Sequence, residues 1–120
     1  MLLGLVSDVH ATPAPLAEAL ALFAARGVDA VLCAGDIAGY GDELDATVDL
    51  LRAHGCHTIA GNHDRWLLAD PARSAGEASR AWLAGLPTRL VHDSERVHLL
   101  MVHASPPESL MDGIRLLDEQ

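Results

Sequence analysis

Basic residues and aromatic residues are both scarce in this sequence. Its 120 residues hold 8 lysines and arginines against 17 acids, which gives a formal net charge of −9. A protein that binds nucleic acid or an anionic membrane through general charge attraction needs a basic surface, so we expect neither partner. Aromatic residues make up 3% of the chain, too few to favour a stacking platform for single-stranded nucleic acid. An acidic balance does not exclude a small anionic substrate.

Cysteine pairs, long apolar runs and a leader-like N-terminus are also missing. Cys33 and Cys56 lie far apart in apolar runs, which favours two core thiols over a disulfide or a redox pair. No apolar run approaches the ~20 residues that cross a bilayer, and the N-terminus lacks the basic segment of a secretory signal. We therefore expect a cytoplasmic protein. Its length and its apolar content of 50% fit one domain over residues 1–120.

The first half of the chain alternates between apolar runs and helical patterns. Thr12 and Pro13 predict the start of a first helix, and Gly27 predicts its end. Asp42 predicts the cap of a second helix, which Gly55 ends. Apolar runs before, between and after these helices predict three buried strands, at residues 2–7, 30–34 and 56–60. This alternation predicts an α/β fold with parallel strands and right-handed crossovers.

The second half of the chain has a different pattern. Ser74 and Glu77 form a capping box ahead of a predicted helix that ends at Gly85. The acids over residues 42–49, in the first half, predict only a solvated helix face. Three further elements are predicted downstream: an antiparallel hairpin of strands at 89–92 and 97–103, and a short helix at 110–117.

Side chains that can bind metal follow four of the predicted strands. Asp8 and His10 follow the first strand and Asp36 the second. Asn62 follows the third, and His103 ends the last. In open α/β sheets, ligands bind in the crevice outside the carboxyl ends of the strands. A single histidine at such a position is often only a hydrogen-bonded surface residue, but packing does not explain four such ends on one side of a sheet.

The residue types at these ends fit a centre of two cations. Asp8 and His10 are two residues apart, so in an extended chain both side chains point the same way and can reach one cation. Asp36 can bridge two cations because its carboxylate has two oxygens and a full negative charge. A mixed set of nitrogen and oxygen ligands suits Mn, Fe, Zn or Ni better than Ca.

A pair of such ions would have a clear chemical use. Two divalent cations about 3.5–4 Å apart clamp a phosphate and lower the pKa of a bridging water. They also add a charge of about +4, which inverts the local field of an acidic protein. His63 stands beside Asn62, where it can act as a general acid for the leaving oxygen or as a hydrogen-bond donor in the transition state.

Four stretches of the sequence resemble the calcineurin-like metallophosphoesterases. They are SDVH at 7–10, GDIAGYG at 35–41, GNHD at 61–64 and VHASP at 102–106. In this order they span essentially the whole chain, and they are most similar to small bacterial phosphodiesterases and diadenosine tetraphosphatases. The resemblance implies a two-sheet sandwich flanked by helices. It also implies hydrolysis of a small phosphorylated substrate by in-line attack of a metal-bound hydroxide.

The resemblance implies a role for each of seven residues. His63 is the catalytic histidine, and Asp64 orients it. Manganese is favoured among the transition metals. The other five residues are metal ligands: Asp8, His10 and Asp36 for the first ion, and Asp36, Asn62 and His103 for the second.

The sequence departs from the family pattern in two places. The closing G-H-x-H motif, whose histidines add one ligand to each metal, does not occur before Gln120, so the fold is expected to be incomplete at the C-terminus. Ala11 and Thr12 stand where the family commonly has glycine and asparagine. The alternative function is therefore a non-catalytic member that binds metal weakly, or a subunit whose site another chain completes. An exposed sheet edge would favour a homo-oligomer.

For a few other residues the sequence predicts only where the side chain packs or what it contacts. Trp66 and Trp82 are expected to pack in the core or between elements. Tyr40 either lines the site or packs within its loop. Arg65 is expected in a surface ion pair, with contact to a substrate phosphate as the alternative.

Overall fold

The protein was analysed as a computed structural model that describes residues 1–104 and 110–111. The helix predicted at 110–117 therefore lies almost wholly outside the described residues. In the described part the elements follow in this order: β1 (Leu3–Val6), α1 (Pro13–Arg26), β2 (Ala30–Cys33), α2 (Leu44–Ala53), β3 (His57–Thr58), α3 (Asn62–Ala69), α4 (Glu77–Ala84), β4 (Arg89–Asp93) and β5 (His98–Val102). No described helix is both long enough and apolar enough to span a membrane.

Two sheets form the fold, as the sequence predicts. The first sheet has the order β1-β2-β3, with both strand pairs parallel. The second is the antiparallel hairpin of β4 and β5, in which Leu90 pairs with Met101. Helices α1 and α2 are the crossovers of the parallel sheet, and their apolar residues pack on one of its faces. The hairpin packs on the other face.

The central strand β2 is buried on both faces because neighbouring residues of a strand point to opposite sides. Cys33 packs in the cluster that contains Leu16 and Leu51 of the two crossover helices. Leu32, the preceding residue, packs with Met101 of the hairpin. Burial raises the pKa of the Cys33 thiol to about 12. Cys33 and Cys56 are both free, and the prediction of core thiols is confirmed for the fully buried Cys33.

Helix α1 has the predicted ends but not the predicted cap. Pro13 opens the helix, and Gly27 closes it in the left-handed region at φ 67°, where glycine has no Cβ to clash. Thr12 occupies the N-cap position, yet its side chain makes no capping bond. The Thr12 hydroxyl instead donates to the backbone carbonyl of His10 at 3.0 Å, so it stabilises the loop that precedes the helix.

The caps predicted for α2 and α4 are wrong, because neither Asp42 nor Ser74 is the residue that precedes its helix. Asp45, expected to be merely solvated, supplies the missing contact from across the fold. Its carboxylate accepts the Gly76 amide at 3.1 Å and the Ser79 hydroxyl at 2.5 Å. These two bonds hold the pKa of Asp45 below its usual value. Asp45 of α2 thus fixes the start of α4 through the N-cap residue Gly76 and the Ser79 side chain, a contact between distant segments.

The strands leave an open apolar groove between β1 and β5. In the described sheet β1 has one neighbour, β2, and its other edge is free. The groove has a volume of about 390 Å³. Leu5 and Leu100 line it and are 61% and 54% exposed. An edge of this kind can pair with further strands.

Candidate metal centre

The loops after β1 and β2 carry three of the predicted ligands and run side by side. The Asp8 amide donates to the Gly35 carbonyl at 2.9 Å, and the His10 amide donates to the Asp36 carbonyl at 3.0 Å. These bonds hold the two loops together beyond the ends of the strands. As a result the side chains of Asp8, His10 and Asp36 leave the sheet at the same edge.

The backbone of these loops is strained at the predicted ligands. Asp8, His10, Ala11 and Asp36 have φ values between 46° and 56°, and they are the non-glycine residues with positive φ in the described part. Each such residue costs on the order of 1–3 kcal/mol, and this strain typically gathers at functional sites. The extended geometry expected for residues 8–10 is wrong, since both Asp8 and His10 are left-handed. Ala11 also shows why the family commonly has glycine at this position.

Two histidines are held so that the same ring nitrogen faces the site. His10 Nδ1 lies 2.9 Å from the Ala38 carbonyl, and His103 Nδ1 lies 2.7 Å from the Ala34 carbonyl. A carbonyl only accepts hydrogen bonds, so Nδ1 carries the hydrogen in both rings when they are neutral. The Nε2 atom of each ring is then an unprotonated lone pair. This outer hydrogen bond is the usual way in which a protein orients a metal-binding histidine.

These lone pairs point at carboxylate oxygens. His10 Nε2 lies 3.7 Å from an Asp8 oxygen and 4.0 Å from an Asp36 oxygen. His103 Nε2 lies 3.5 Å from the other Asp36 oxygen. Acceptors that face one another at such distances are stabilised by a cation between them. The donor set therefore fits divalent transition-metal ions.

The ligand atoms form two groups that share Asp36. One group is Asp8, Asp36 and His103, and the other is His10, Asp36 and His63, with the atoms of each group within 4.8 Å of one another. Asp36 is 3% exposed. Its place in both groups agrees with the bridging role that the sequence suggests. In these groups Asp8 lies with His103 and His63 lies with His10. His10 Nε2 also faces both Asp8 and Asp36, so the implied division of the ligands between two ions stays a prediction.

Asn62, the fifth predicted ligand, lies against both Asp36 and His103. In the amide orientation that satisfies its neighbours, its nitrogen lies 3.0 Å from His103 Nε2 and 3.3 Å from an Asp36 oxygen. The opposite orientation turns the amide oxygen toward the same point. All five predicted ligands are thus brought to one edge of the fold.

Helix α3 is the main element that the sequence reasoning missed. Asn62 and His63 are expected after a strand but form the first turn of this helix, behind Gly61 as the N-cap residue. The His63 amide donates to an Asp36 oxygen at 3.0 Å, so the positive end of the helix stabilises the shared carboxylate. The signal for the helix was an acid, Asp64, three residues after a possible cap.

Asp64 has a different role from the one the resemblance implies. It is fully buried, and its carboxylate accepts the amides of Ala38 at 2.8 Å and Gly61 at 2.9 Å. Burial raises its pKa. Among the hydrogen bonds of the described residues, none joins Asp64 to the His63 ring. Asp64 therefore fixes α3 to the loop after β2 and orients His63 only through the backbone.

Aromatic rings surround His63. Its centroid lies 5.0 Å from that of Tyr40 and 4.8 Å from that of Trp66. Trp66 is 48% exposed, so of its two predicted placements, in the core or between elements, the core is wrong. Tyr40 was expected either to line the site or to pack within its loop, and the structure places it at the site. Trp82 packs against the core as predicted.

Two arginines close to these loops donate to backbone carbonyls. Arg65 donates to the Leu86 carbonyl at 3.1 Å, so the predicted ion pair of Arg65 is not formed among the described residues. Arg73, which the sequence reasoning did not single out, donates to the Gly39 carbonyl at 3.3 Å. The spacing of Arg73 from Gly39 in the chain gives no signal for this contact.

Comparison with solved structures identifies the fold. A structure of a metallophosphoesterase from Sphaerobacter thermophilus is 26% identical with a TM-score of 0.75, and the match covers 93% of this chain and 50% of that protein. A protein provisionally assigned as a diadenosine tetraphosphatase is 28% identical with a TM-score of 0.63, over 72% of this chain and 43% of that protein. The metallophosphoesterase fold is therefore confirmed.

Comparison of the sequence with family models identifies the family. An uncharacterized protein of Methanocaldococcus jannaschii is 34% identical over 67 residues, which is 56% of this chain and 28% of that protein. The chain thus spans half or less of the length of these relatives. Residues 1–120 match the model of the calcineurin-like phosphoesterase superfamily domain. The chain belongs to the calcineurin-like phosphoesterase superfamily.

Proposed function

We propose that this chain hydrolyses phosphoester bonds at a centre of two divalent cations, with manganese favoured. The observation that carries the proposal is the convergence of two imidazole Nε2 atoms, from His10 and His103, on the carboxylates of Asp8 and Asp36. Family membership supports phosphoester hydrolysis in general. The substrate we propose is a small phosphorylated molecule in the cytoplasm, where unpaired thiols such as Cys33 persist.

Each residue of the centre has a proposed role in binding the two ions. Asp8 and His103 would hold one ion, His10 would hold the other, and Asp36 would contact both, with the Asn62 amide oxygen able to turn toward either. When bound, the ions would neutralise the charge of the phosphate and lower the pKa of water. The chain itself supplies the rigid carboxylate cradle that positions them.

His63 is proposed to donate a proton to the leaving oxygen. Its backbone amide is bonded to Asp36, which places the half-buried ring at the edge of the centre. The ring is also close enough to His10 and Asp36 to belong to a ligand group. The two roles make different predictions about metal content.

Replacing His63 with alanine is expected to lower Mn²⁺-dependent hydrolysis about 10²- to 10⁴-fold for a phosphodiester with an alkyl leaving group. The loss is expected to be smaller for bis-p-nitrophenyl phosphate, because p-nitrophenolate leaves without a proton. Bound manganese per chain, measured by mass spectrometry, should stay unchanged. His57→Ala, which removes an exposed histidine of β3, is the matched control. Metal loss in proportion to rate would make His63 a ligand.

A second candidate function is that of a subunit whose site another chain completes. The apolar groove between β1 and β5 favours it, since Leu5 is 61% exposed there. If no divalent metal supports turnover, the chain is a non-catalytic member of the family that binds metal weakly.

We expect light scattering to show a dimer or larger species that Leu5→Glu converts to monomer, because a charge cannot be buried in an apolar interface without a partner. Leu22→Glu is the control, since Leu22 is equally exposed at 61% but lies on α1. Monomeric mass for the unmodified chain would contradict this second candidate.

A further inference from the structure

Tyr40, His63 and Trp66 form a continuous ring surface, here called the aromatic rim. The His63 centroid lies 5.0 Å from that of Tyr40 and 4.8 Å from that of Trp66. The rim continues into the metal centre, since the His10 centroid is 4.9 Å from His63 and 5.0 Å from Tyr40. One side of the rim therefore touches the proposed ligands.

Two of the three rings of the aromatic rim are exposed to solvent. Tyr40 is 85% exposed and Trp66 is 48% exposed. The chain has only two other Phe, Tyr or Trp residues, Phe23 and Trp82, and both pack against the core. The aromatic residues that the fold does not use for packing thus both stand beside the candidate centre. Large rings gain free energy when covered, which favours a ligand for this surface.

Both sides of the rim are held in place by the fold. Tyr40 follows Gly39, whose carbonyl accepts the Arg73 guanidinium at 3.3 Å. Gly39 has φ 140°, and a Cβ built on it would lie 2.3 Å from His10 Nδ1, so this loop is pressed against the His10 ring. Trp66 belongs to α3, whose first turn is bonded to Asp36. The backbone that carries each ring is therefore anchored beside the metal centre.

We propose that the aromatic rim is a specificity subsite that stacks on a planar aromatic group of the substrate, such as the base of a nucleoside phosphoester. This inference rests on the proposed function. The chain carries a net charge of −9, and Arg65 and Arg73 donate to backbone carbonyls. Stacking on a neutral ring adds affinity for an anionic substrate without needing further basic groups.

The test compares adenosine 5′-monophosphate with ribose 5-phosphate, which differ only by the base. In the Mn²⁺-loaded protein we expect the nucleotide to bind roughly 10- to 100-fold more tightly, the gain typical of stacking one base. Trp66→Leu and Tyr40→Leu should each reduce this preference while leaving the affinity for ribose 5-phosphate unchanged. In hydrolysis assays the loss should appear in KM for base-containing esters, beyond any loss shared with esters that lack a base, because both rings also contact His63.

Fluorescence gives a readout that does not depend on turnover. In Trp82→Phe the remaining indole is Trp66, and adenosine 5′-monophosphate should quench it while ribose 5-phosphate does not. In Trp66→Leu the remaining indole is Trp82, and no quenching is expected. Equal affinity for both ligands, no binding of either, or an equal loss of both in Trp66→Leu would overturn the proposal. Base preference without hydrolysis would overturn only the proposed function, and hydrolysis without base preference only the subsite.

Discussion

Asp36→Asn is expected to abolish metal-dependent phosphoester hydrolysis. Asp36 is the carboxylate that both ligand groups share, so its loss affects both ions at once. Loss of an outer partner of a metal ligand typically costs about 10- to 100-fold in affinity or activity, and loss of a shared ligand should cost more. An asparagine can still accept the His63 amide through its side-chain oxygen. The metal-free fold should therefore survive the change.

The measurement pairs activity with thermal unfolding. Mn²⁺ should raise the melting temperature of the unmodified protein, because a ligand that binds only the folded state stabilises it. This rise should disappear in Asp36→Asn together with hydrolysis of bis-p-nitrophenyl phosphate. Asp49→Asn neutralises an exposed carboxylate on α2 and should change neither. Full activity in Asp36→Asn would disprove the two-ion centre.

Gly61→Ala is expected to destroy the site by steric force alone. A Cβ at this position would lie 2.1 Å from an Asp36 carboxylate oxygen and 2.4 Å from the Asp36 amide nitrogen. Backbone φ at Gly61 is −106°, an ordinary value for any residue, so no strain of the left-handed region enters. The loop after β2 and the start of α3 would have to separate. Overpacking of this kind costs roughly 1–3 kcal/mol or more.

Gly85→Ala is the matched control for this clash. Gly85 also has an ordinary φ of −86°, and a Cβ there would meet its nearest atom at 3.6 Å. The free energy of unfolding, from urea titration, should fall by roughly 1–3 kcal/mol or more in Gly61→Ala and change by less than about 0.5 kcal/mol in Gly85→Ala. Manganese binding should be lost only in Gly61→Ala. Equal stability and metal binding in both variants would contradict the close approach of Gly61 to Asp36.

Local patterns were reliable where one segment decided the outcome. Strand β2 was recognisable because a strand buried on both faces is apolar at every position, and Gly27 marked a helix end because a left-handed residue favours glycine. The prediction that Asp42 and Ser74 are N-cap residues was wrong, because contacts from other segments fix where the helices begin. Asp45 reaches across to Gly76 and Ser79, and no pattern within α4 contains that information.

The exposure of single residues was the least predictable feature. Trp66 and Trp82 are both in short helices and read alike in the sequence, but one lines the candidate site and the other packs against the core. The difference arises from what each helix faces. Helix α3 begins at the metal centre, where the His63 amide is bonded to Asp36, and the Trp66 ring lies 4.8 Å from the His63 ring.

By itself the sequence determined the alternation of strands and helices up to β3, the closing hairpin, the family, and the presence of metal-binding residues after the strands, because each of these depends on residue type and local spacing. Only the tertiary structure decided how those residues are used. The carbonyls of Ala34 and Ala38 select the ring nitrogen that His103 and His10 present, and both belong to distant segments. Contacts of that kind also group Asp8 with His103, since the chain brings them together only when the two sheets pack.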